Sequence, residues 1–296
     1  MKKRIIIISV ILTIILISLI VVLLMNRPVK EWTVTSYSPK TGTQAMIYTI
    51  TDNKGRLIII DGGYEDDADQ IRKTISEHDN HVYAWIVSHP HFDHAGAFNV
   101  IMSEDSDITV DTVYVTNLNY DRYKETAQPY DVFETCDKYC EVISKLDNVT
   151  ILKENDSFDC LGLKFTVLHS WNEEVDGTSV NLCNNGSLVF TVEGKEEKML
   201  FCSDVQSEMQ NYIIERHKAE LADVKYIQAG HHGNWGMTKE FYDNIIAPKT
   251  VFFDSTDELL EPGELGYDAG PLKEYFENRG TEVLNYSTAP NSIVIR

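Results

Sequence analysis

The residues with the clearest chemical meaning form the segment Ser88–His94, which holds three histidines and one aspartate within six positions. It directly follows a hydrophobic run that predicts a buried strand. Alternate side chains of an extended segment point the same way, so His89 and His91 can bind one metal ion. Asp93 and His94 lie just beyond, where a helix should begin, and can reach a neighbouring ion. Imidazole and carboxylate are the ligands that zinc prefers in catalytic sites, so the segment predicts a metal centre.

This segment resembles the His-x-His-x-Asp-His signature of the metallo-β-lactamase superfamily. Three further motifs similar to those of the superfamily follow in the expected order, and together they span nearly all of residues 32–296. They are the strand-to-turn motif Ile58–Gly63, the aspartate motif Phe201–Asp204 and the last ligand motif Gly230-His231-His232-Gly233. The resemblance implies that Asp61 orients the site and that Asp204 bridges two metal ions.

The resemblance also implies a set of ligands and catalytic residues. The implied metal ligands are His89, His91, Asp93, His94, Asp204 and His231. The implied cofactors are two Zn²⁺ ions, with Mn²⁺ as the alternative, and they would activate a water for hydrolysis. Asp93 would also orient that nucleophile. His232 would stabilise the transition state or protonate the leaving group; the alternative is that it only orients its neighbours.

One ligand of the superfamily's usual set is missing, a histidine that precedes a hairpin and binds the first metal. Cys183 stands in the place of that histidine, directly before Asn184–Val189. His169, fourteen residues earlier, is the alternative ligand. A thiolate is a competent zinc ligand, but Cys183 can equally be a buried structural cysteine and His169 a hydrogen-bonded histidine at a strand end. Both alternatives stay open at the level of sequence.

This departure narrows the resemblance to a branch similar to the extracellular hydrolase domain of ComEC-type competence proteins. That branch combines Ser-His-x-His-x-Asp-His, Asn-x-Ser-Leu-Val and His-His-Gly, and all three patterns occur here. The sequence differs at Asn234, where the branch has serine, and at Ser203, where it has glycine. The many membrane spans of that transporter are also lacking, so the likeness concerns the hydrolase module. It implies hydrolysis of phosphodiester bonds.

The hydrophobic pattern predicts the elements that must position these motifs. Strand hairpins are expected in both halves of the chain, near residues 44–61 and 187–202, with helices interspersed. Strands near 82–88 and 224–229 each end directly before a histidine motif. No linker divides residues 31–296, which are assigned as one hydrolase domain. The pattern predicts an α/β (α+β) fold of two mixed sheets packed face to face with helices outside, the four-layer αββα sandwich.

The N-terminus predicts a membrane anchor. Residues 5–25 carry no charge, and at about 1.5 Å per residue they are long enough to span the roughly 30 Å hydrocarbon core of a bilayer. Residues 1–30 are therefore assigned as an uncleaved single-pass anchor. A cleaved signal peptide is the alternative, but no small-x-small site follows the run. Three basic residues before the span favour a cytoplasmic N-terminus, which places the hydrolase domain outside the cell.

The charge of the chain limits its substrates. The net charge is -20 in total and +5 in residues 1–30, which leaves -25 in residues 31–296. Such a domain repels extended nucleic acid, whereas a compact phosphodiester such as a phosphocholine ester suffers less repulsion. Trp171 and Trp235 lie near ligand segments and could stack on a base or a choline, or simply pack in the core. The alternative functions are an acyl hydrolase, of thioesterase or β-lactamase type, and a non-catalytic metal-binding surface protein.

Overall fold

The computed structural model describes most of the chain beyond its first 29 residues. The described residues are 30–104, 107–128, 131–178, 180–261, 269–286 and 289–296. The predicted membrane span at residues 5–25 lies outside them. Within the described ranges, no helix combines the length and hydrophobicity needed to cross a bilayer. The division into an anchor and a hydrolase domain therefore stays a prediction.

The described strands form two sheets. The strands are β1 (Trp32–Ser36), β2 (Ile47–Asp52), β3 (Leu57–Asp61), β4 (His81–Val87), β5 (Thr109–Val110), β6 (Val113–Thr116), β7 (Val149–Leu152), β8 (Ser157–Cys160), β9 (Leu163–His169), β10 (Val189–Glu193), β11 (Lys198–Phe201), β12 (Tyr226–Gln228), β13 (Thr250–Phe252), β14 (Glu282–Leu284) and β15 (Asn291–Ile295). The first sheet has the order β15-β1-β2-β3-β4-β6-β7, with β5 paired to β4, and the second has the order β14-β13-β12-β11-β10-β9-β8. Each sheet combines antiparallel hairpins with a parallel half, from β3 to β7 in the first and from β11 to β14 in the second.

The helices lie between these strands in sequence. They are α1 (Ala68–Ser76), α2 (Phe92–Ser103), α3 (Tyr120–Glu125), α4 (Phe133–Ile143), α5 (Glu173–Gly177), α6 (Leu182–Asn185), α7 (Ser207–Ala222), α8 (Lys239–Tyr242), α9 (Asp257–Leu260) and α10 (Gly270–Asn278). Helix α2 begins three residues before the expected start near Ala95. The carbonyl of His91 accepts hydrogen bonds from the backbone of His94 and Ala95, which extends the helix into the histidine motif.

Three hydrophobic clusters hold these layers together. One contains side chains of both sheets, and in it Tyr48 packs edge-on against Phe201 and Phe252 with ring centroids 5.2 and 5.8 Å apart. The second joins α1, α2 and α4 to the first sheet, and the third joins α7, α8 and α10 to the second. Burying one large apolar side chain stabilises a fold by about 1.5–3 kcal/mol. The predicted mixed α/β architecture is confirmed.

The sequence motifs follow the carboxyl ends of parallel strands. Asp61 ends β3, and Ser88 directly follows β4 in the same sheet. Asp204 follows β11 in the other sheet. A backbone hydrogen bond joins the two edges, because the amide of Leu188, just before β10, donates to the carbonyl of Ser88 (3.1 Å). Within the second sheet's edge, the Ser203 hydroxyl donates to the carbonyl of Leu188 (2.6 Å). The sandwich therefore brings motifs more than a hundred residues apart to one edge.

Gly186 closes α6 at this edge, and the stability of the fold should depend on it. A Cβ at this position would overlap the indole ring of Trp171, which is buried. We expect Gly186→Ala to lower the free energy of unfolding by about 1–3 kcal/mol, the usual cost of overpacking. Urea denaturation of the variant measures this change. The matched control is Gly177→Ala, because a Cβ there meets nothing within 4 Å; equal losses in both variants would contradict the packing argument.

Candidate metal centre

Strand β4 ends directly before the histidine motif, most of whose side chains are buried. Between Val87 and the start of α2 at Phe92 the chain belongs to no strand or helix, and His91 is extended with a φ of -72° and a ψ of 157°. His89 and His94 are fully buried, while the side chain of His91 is 16% exposed. Asp93 lies in the first turn of α2, close to the positive end of the helix dipole, where a carboxylate is favoured.

Two groups of potential ligands stand out in the described part of the chain. The first contains His89, His91 and Asp204, and the second contains Asp93, His94, Asp204 and His232. Within each group, one candidate ligand atom from each residue lies within 4.8 Å of all the others. Asp204 belongs to both groups: its Oδ2 is 3.9 Å from Nε2 of His89, and its Oδ1 is 3.2 Å from Nε2 of His94. This is the geometry that a bridging carboxylate needs.

The two histidines of the last motif take different positions. The buried Nε2 of His232 is 3.3 Å from Oδ2 of Asp93 and 3.4 Å from Oδ2 of Asp204. His231 belongs to neither group: its Nε2 is 3.8 Å from Asp204 and 3.2 Å from the Asn184 amide. The structure thus brings together five of the six predicted ligands and adds His232 where His231 was expected. Metal binding by each of them stays a prediction.

Asp61 holds the histidine motif in place through hydrogen bonds to its carboxylate. One carboxylate oxygen accepts from the Ser88 backbone amide, and the other accepts from the Ser88 hydroxyl and from Nδ1 of His94, each at 2.7 Å. Nε2 of His94 is thereby left facing Asp204. Metal-binding histidines usually donate their other ring nitrogen to a carboxylate in this way. The geometry agrees with the predicted orienting role of Asp61.

The outer contacts of His91 come from residues that the sequence analysis did not identify. Its Nε2 is 3.3 Å from the Tyr123 hydroxyl, which donates to Asp131 at 2.9 Å. Burial alone would lower the pKa of His91, but the neighbouring Cys183 and Asp131 raise it to about 10. Tyr123 and Asp131 lie in or beside the short helix α3, in a stretch whose sequence carries no motif. Only the tertiary structure identifies them.

The buried polar atoms of the two groups fit a divalent cation. Within the described residues, Nε2 of His89, His94 and His232 and Oδ1 of Asp204 are buried and have no hydrogen bond of good geometry, although the nitrogens of His94 and His232 lie 3.2 and 3.4 Å from Asp204 oxygens. Leaving a buried polar atom unpaired costs about 1–3 kcal/mol, and a bound cation would give these atoms a common partner. Burial disfavours the ionised form of Asp204, but His232 and His94 hold its pKa well below the ordinary value. An ionised carboxylate amid imidazole nitrogens is a suitable ligand set for a divalent metal.

The two candidates for the missing ligand have different surroundings. Nε2 of His169 donates to the carbonyl of Asn185 at 2.7 Å, and its ring packs edge-on against Tyr212. Cys183 is buried in α6. Neither residue belongs to the two groups described above.

Comparisons with known proteins agree with the fold described above. Residues 41–132 match the family model of the metallo-β-lactamase superfamily. The structure of YhfI from Bacillus subtilis, a metallo-β-lactamase fold protein, has a TM-score of 0.53 and 9% identity, covering 90% of this chain and 98% of that chain. Tm1679, a metal-dependent hydrolase of the β-lactamase superfamily, gives a TM-score of 0.51 and 13% identity, with coverage of 89% and 98%. The chain has the metallo-β-lactamase fold.

This fold also occurs in larger proteins. A variant of CmlA β-hydroxylase has a TM-score of 0.54 and 14% identity; the match covers 89% of this chain but only 54% of that chain. The search of curated proteins finds no match to this sequence.

The matched family model represents the metallo-β-lactamase superfamily, whose members include metal-dependent hydrolases, and at this level the predicted enzyme class is confirmed. The narrower resemblance to ComEC-type proteins stays a prediction.

Asp61 offers a test of the outer contacts that does not alter a ligand. We expect Asp61→Asn to weaken metal binding about 10–100-fold, because the amide cannot accept all three hydrogen bonds that orient Ser88 and His94. Competition with a chromophoric chelator measures the affinity. Asp159→Asn, an exposed substitution that removes the same charge, is the control. Unchanged affinity in Asp61→Asn would contradict the orienting role.

Proposed function

We propose that this chain is a dinuclear metal-dependent phosphodiesterase that acts outside the cell. The observation that carries the proposal is the pair of ligand groups sharing Asp204. His89, His91 and Asp204 would hold the first ion, and Asp93, His94, His232 and Asp204 the second. The mixed nitrogen and oxygen donors favour zinc, with manganese as the alternative. When bound, the two ions would lower the pKa of a shared water towards neutrality and neutralise charge on the substrate.

Two residues of the chain would have further roles in catalysis. Asp93 is held 3.3 Å from His232 and would orient the nucleophile towards the substrate. His231 takes the role that the sequence suggested for its neighbour, because its side chain is 12% exposed whereas that of His232 is fully buried. The Asn184 amide beside Nε2 of His231 can donate to the neutral ring or, turned over, accept from the protonated ring. Because Nδ1 of His231 donates to the Asn234 carbonyl at 2.5 Å, Nε2 would give a proton to the leaving oxygen only from the protonated ring.

The substrate we propose is a compact phosphodiester, such as a phosphocholine ester. The resemblance to the ComEC-type hydrolase module supports phosphodiester chemistry, and the charge of -25 in residues 31–296 disfavours extended nucleic acid.

Of the two candidate stacking residues, Trp171 is 3% exposed and donates its indole N–H to Asp176, so it is a packing residue. Trp235 is 54% exposed, and its ring centroid lies 6.1 Å from that of His231. Trp235 is therefore available to contact a cationic or aromatic leaving group.

Hydrolysis of bis(p-nitrophenyl) phosphate by the whole 296-residue chain tests the proposed chemistry. We expect turnover that chelation abolishes and that zinc or manganese restores. Asp204→Ala should abolish it, because both ligand groups lose their shared residue. The control is His81→Ala, which changes a histidine at the opposite end of β4. A chain that binds two metal ions but never cleaves this compound would refute the phosphodiesterase and direct the search to thioester and lactam substrates.

The same assay distinguishes the two histidines of the last motif. His232→Ala should reduce the metal content from two ions to about one, because it removes a ligand of the second group. His231→Ala should retain both ions and lower kcat about 10²–10⁴-fold, the usual contribution of a general acid. Metal analysis beside the kinetics separates these effects. Loss of metal from His231→Ala with retention in His232→Ala would reverse our assignment.

The proposed location follows from the sequence of the first 30 residues and has its own test. We expect protease added to intact cells to digest residues 31–296, because the basic N-terminus should stay in the cytoplasm. A cytoplasmic protein in the same cells is the control for leakage. Protection in intact cells and digestion after permeabilisation would contradict an extracellular domain. The mass of the membrane-bound protein shows whether residues 1–30 are retained.

A further inference from the structure

Two histidines of the ligand groups differ in the ring nitrogen that an outer contact occupies. In His94 the occupied nitrogen is Nδ1, which donates to Asp61 at 2.7 Å and leaves Nε2 facing Asp204. In His91 it is Nε2, which lies 3.3 Å from the Tyr123 hydroxyl. A ring nitrogen that is engaged in a hydrogen bond is not free to bind a metal ion. Nδ1 is therefore the nitrogen of His91 that is available to one.

The hydroxyl of Tyr123 has a single proton, and Asp131 receives it. The hydroxyl donates to Oδ1 of Asp131 at 2.9 Å, and an ionised carboxylate can only accept. Towards His91 the same hydroxyl oxygen must therefore accept, which requires a proton on Nε2 of the imidazole. A neutral imidazole carries one ring proton, so the ring that meets this requirement has its lone pair on Nδ1. The Tyr123–Asp131 pair thus selects the tautomer of His91 that can bind a metal ion through Nδ1.

Both members of the pair are buried and held by further contacts. Tyr123 is 1% exposed, and its ring packs on Phe133 with the centroids 4.8 Å apart. The side chain of Asp131 is 6% exposed, and its second oxygen accepts from the Gln128 amide at 2.6 Å. Water therefore does not compete for these hydrogen bonds, which are stronger in the interior than they would be in solvent.

Helix α3, which carries Tyr123, is fixed independently of the histidine motif. Arg122 donates from Nε to the carbonyl of Asp176 and from Nη2 to the carbonyl of Thr178, each at 3.1 Å. Asn119, which caps α3 by accepting from the Arg122 amide, also donates to the Asp176 carboxylate at 3.1 Å. These contacts with α5 and its C-terminal residue set the position of the Tyr123 hydroxyl. His91 is thus held against a support that lies outside the two ligand groups.

We infer that Tyr123 and Asp131 are positioning residues of the first metal position and act through His91. This inference rests on the proposed dinuclear site. Tyr123 fixes the ring of His91 and the proton on its Nε2, and Asp131 holds the hydroxyl in the orientation that accepts this proton's hydrogen bond. The negative charge of Asp131 also makes Nδ1 a stronger donor to a cation. Asp61 acts on His94 through a direct hydrogen bond, so the two ligand groups are supported by different parts of the chain.

Zinc binding by the whole chain tests this inference through affinity. Tyr123→Phe keeps the ring that packs on Phe133 and removes only the hydroxyl. We expect this variant to bind one of the two zinc ions about 10–100-fold more weakly, the usual effect of losing an outer contact, and the other with unchanged affinity. Competition with a chromophoric chelator measures both affinities. Asp131→Asn should weaken the same ion to a smaller extent, because its amide oxygen can still accept from Tyr123, and it provides the test if Tyr123→Phe folds poorly.

A spectroscopic signature separates positioning from a merely structural effect. In the zinc-loaded chain with isotope-labelled histidines, a ring N–H that is buried and hydrogen-bonded exchanges slowly with water and gives a resolved magnetic resonance signal. We expect the signal of Nε2–H of His91 to disappear or shift in Tyr123→Phe, while that of Nδ1–H of His94 stays unchanged. An unchanged His91 signal would overturn the inference.

Two control variants are matched to these substitutions. Tyr139→Phe also removes a buried hydroxyl, one that has no hydrogen-bond partner among the described residues. Asp121→Asn removes one negative charge from an exposed position of α3. Both controls should retain both zinc affinities. Equal weakening of the two ions in Tyr123→Phe, or the same loss in Tyr139→Phe, would contradict a role through His91, because a general loss of stability would then explain the result.

The outcome is separable from that of the proposed function, because zinc affinity is measured without substrate. Binding of one ion that depends on Tyr123, in a chain that does not cleave bis(p-nitrophenyl) phosphate, would support the positioning pair and refute the phosphodiesterase. Metal-dependent cleavage, with zinc affinities that Tyr123→Phe leaves unchanged, would do the reverse. A chain that binds no zinc at all would refute both.

Discussion

The burial of unpaired imidazole nitrogens around one carboxylate is the constraint on which the rest of the structure depends. Nε2 of His89, His94 and His232 converges on Asp204, and these atoms lack hydrogen-bond partners within the described residues. Each unpaired atom costs about 1–3 kcal/mol, so the arrangement persists only where the surroundings prevent relaxation. Two packed sheets meet this requirement, because the ligand segments begin where rigid strands end and are tied across the sandwich by backbone hydrogen bonds.

The backbone itself is strained at this edge. Asp61, Ser203, His231 and His232 all have positive φ, at 54°, 47°, 52° and 58°. Non-glycine residues in the left-handed region are uncommon and cost of order 1–3 kcal/mol each where the backbone is held out of its preferred regions. Ser203 stands where the ComEC-type branch has glycine, so here a side chain occupies a conformation that glycine adopts freely. Its hydroxyl donates to the carbonyl of Leu188, whose amide in turn donates to Ser88 at the edge of the other sheet.

The sequence predicted the parts of this site that local spacing determines. The extended His89–His91 pair, the carboxylate at the start of α2 and the strands before each motif follow from alternation and hydrophobic runs. The four-layer pattern followed from hairpins in both halves. Several elements were missed, among them the β8–β9 hairpin and the helices α3, α5, α6 and α10. Of these, α3, α5 and α6 have too few residues to give a clear period. Tyr123 and Asp131 were missed because they reach His91 only through tertiary contacts, which the sequence does not show.

The sequence could not predict which of His231 and His232 turns its side chain towards the ligand groups, because the two residues are identical and adjacent. Two consecutive left-handed residues before Gly233 turn His232 into the interior and leave His231 towards solvent. The other histidines differ in exposure as well: the side chain of His91 is 16% exposed, whereas His89 and His94 are fully buried. Under the proposed function, a substrate would therefore contact His91 and His231 before the fully buried His94 and His232. The exposed rings of Phe92 and Trp235 lie 6.5 Å from the ring of His91 and 6.1 Å from that of His231, so they add an apolar contact surface beside these two histidines that does not depend on charge.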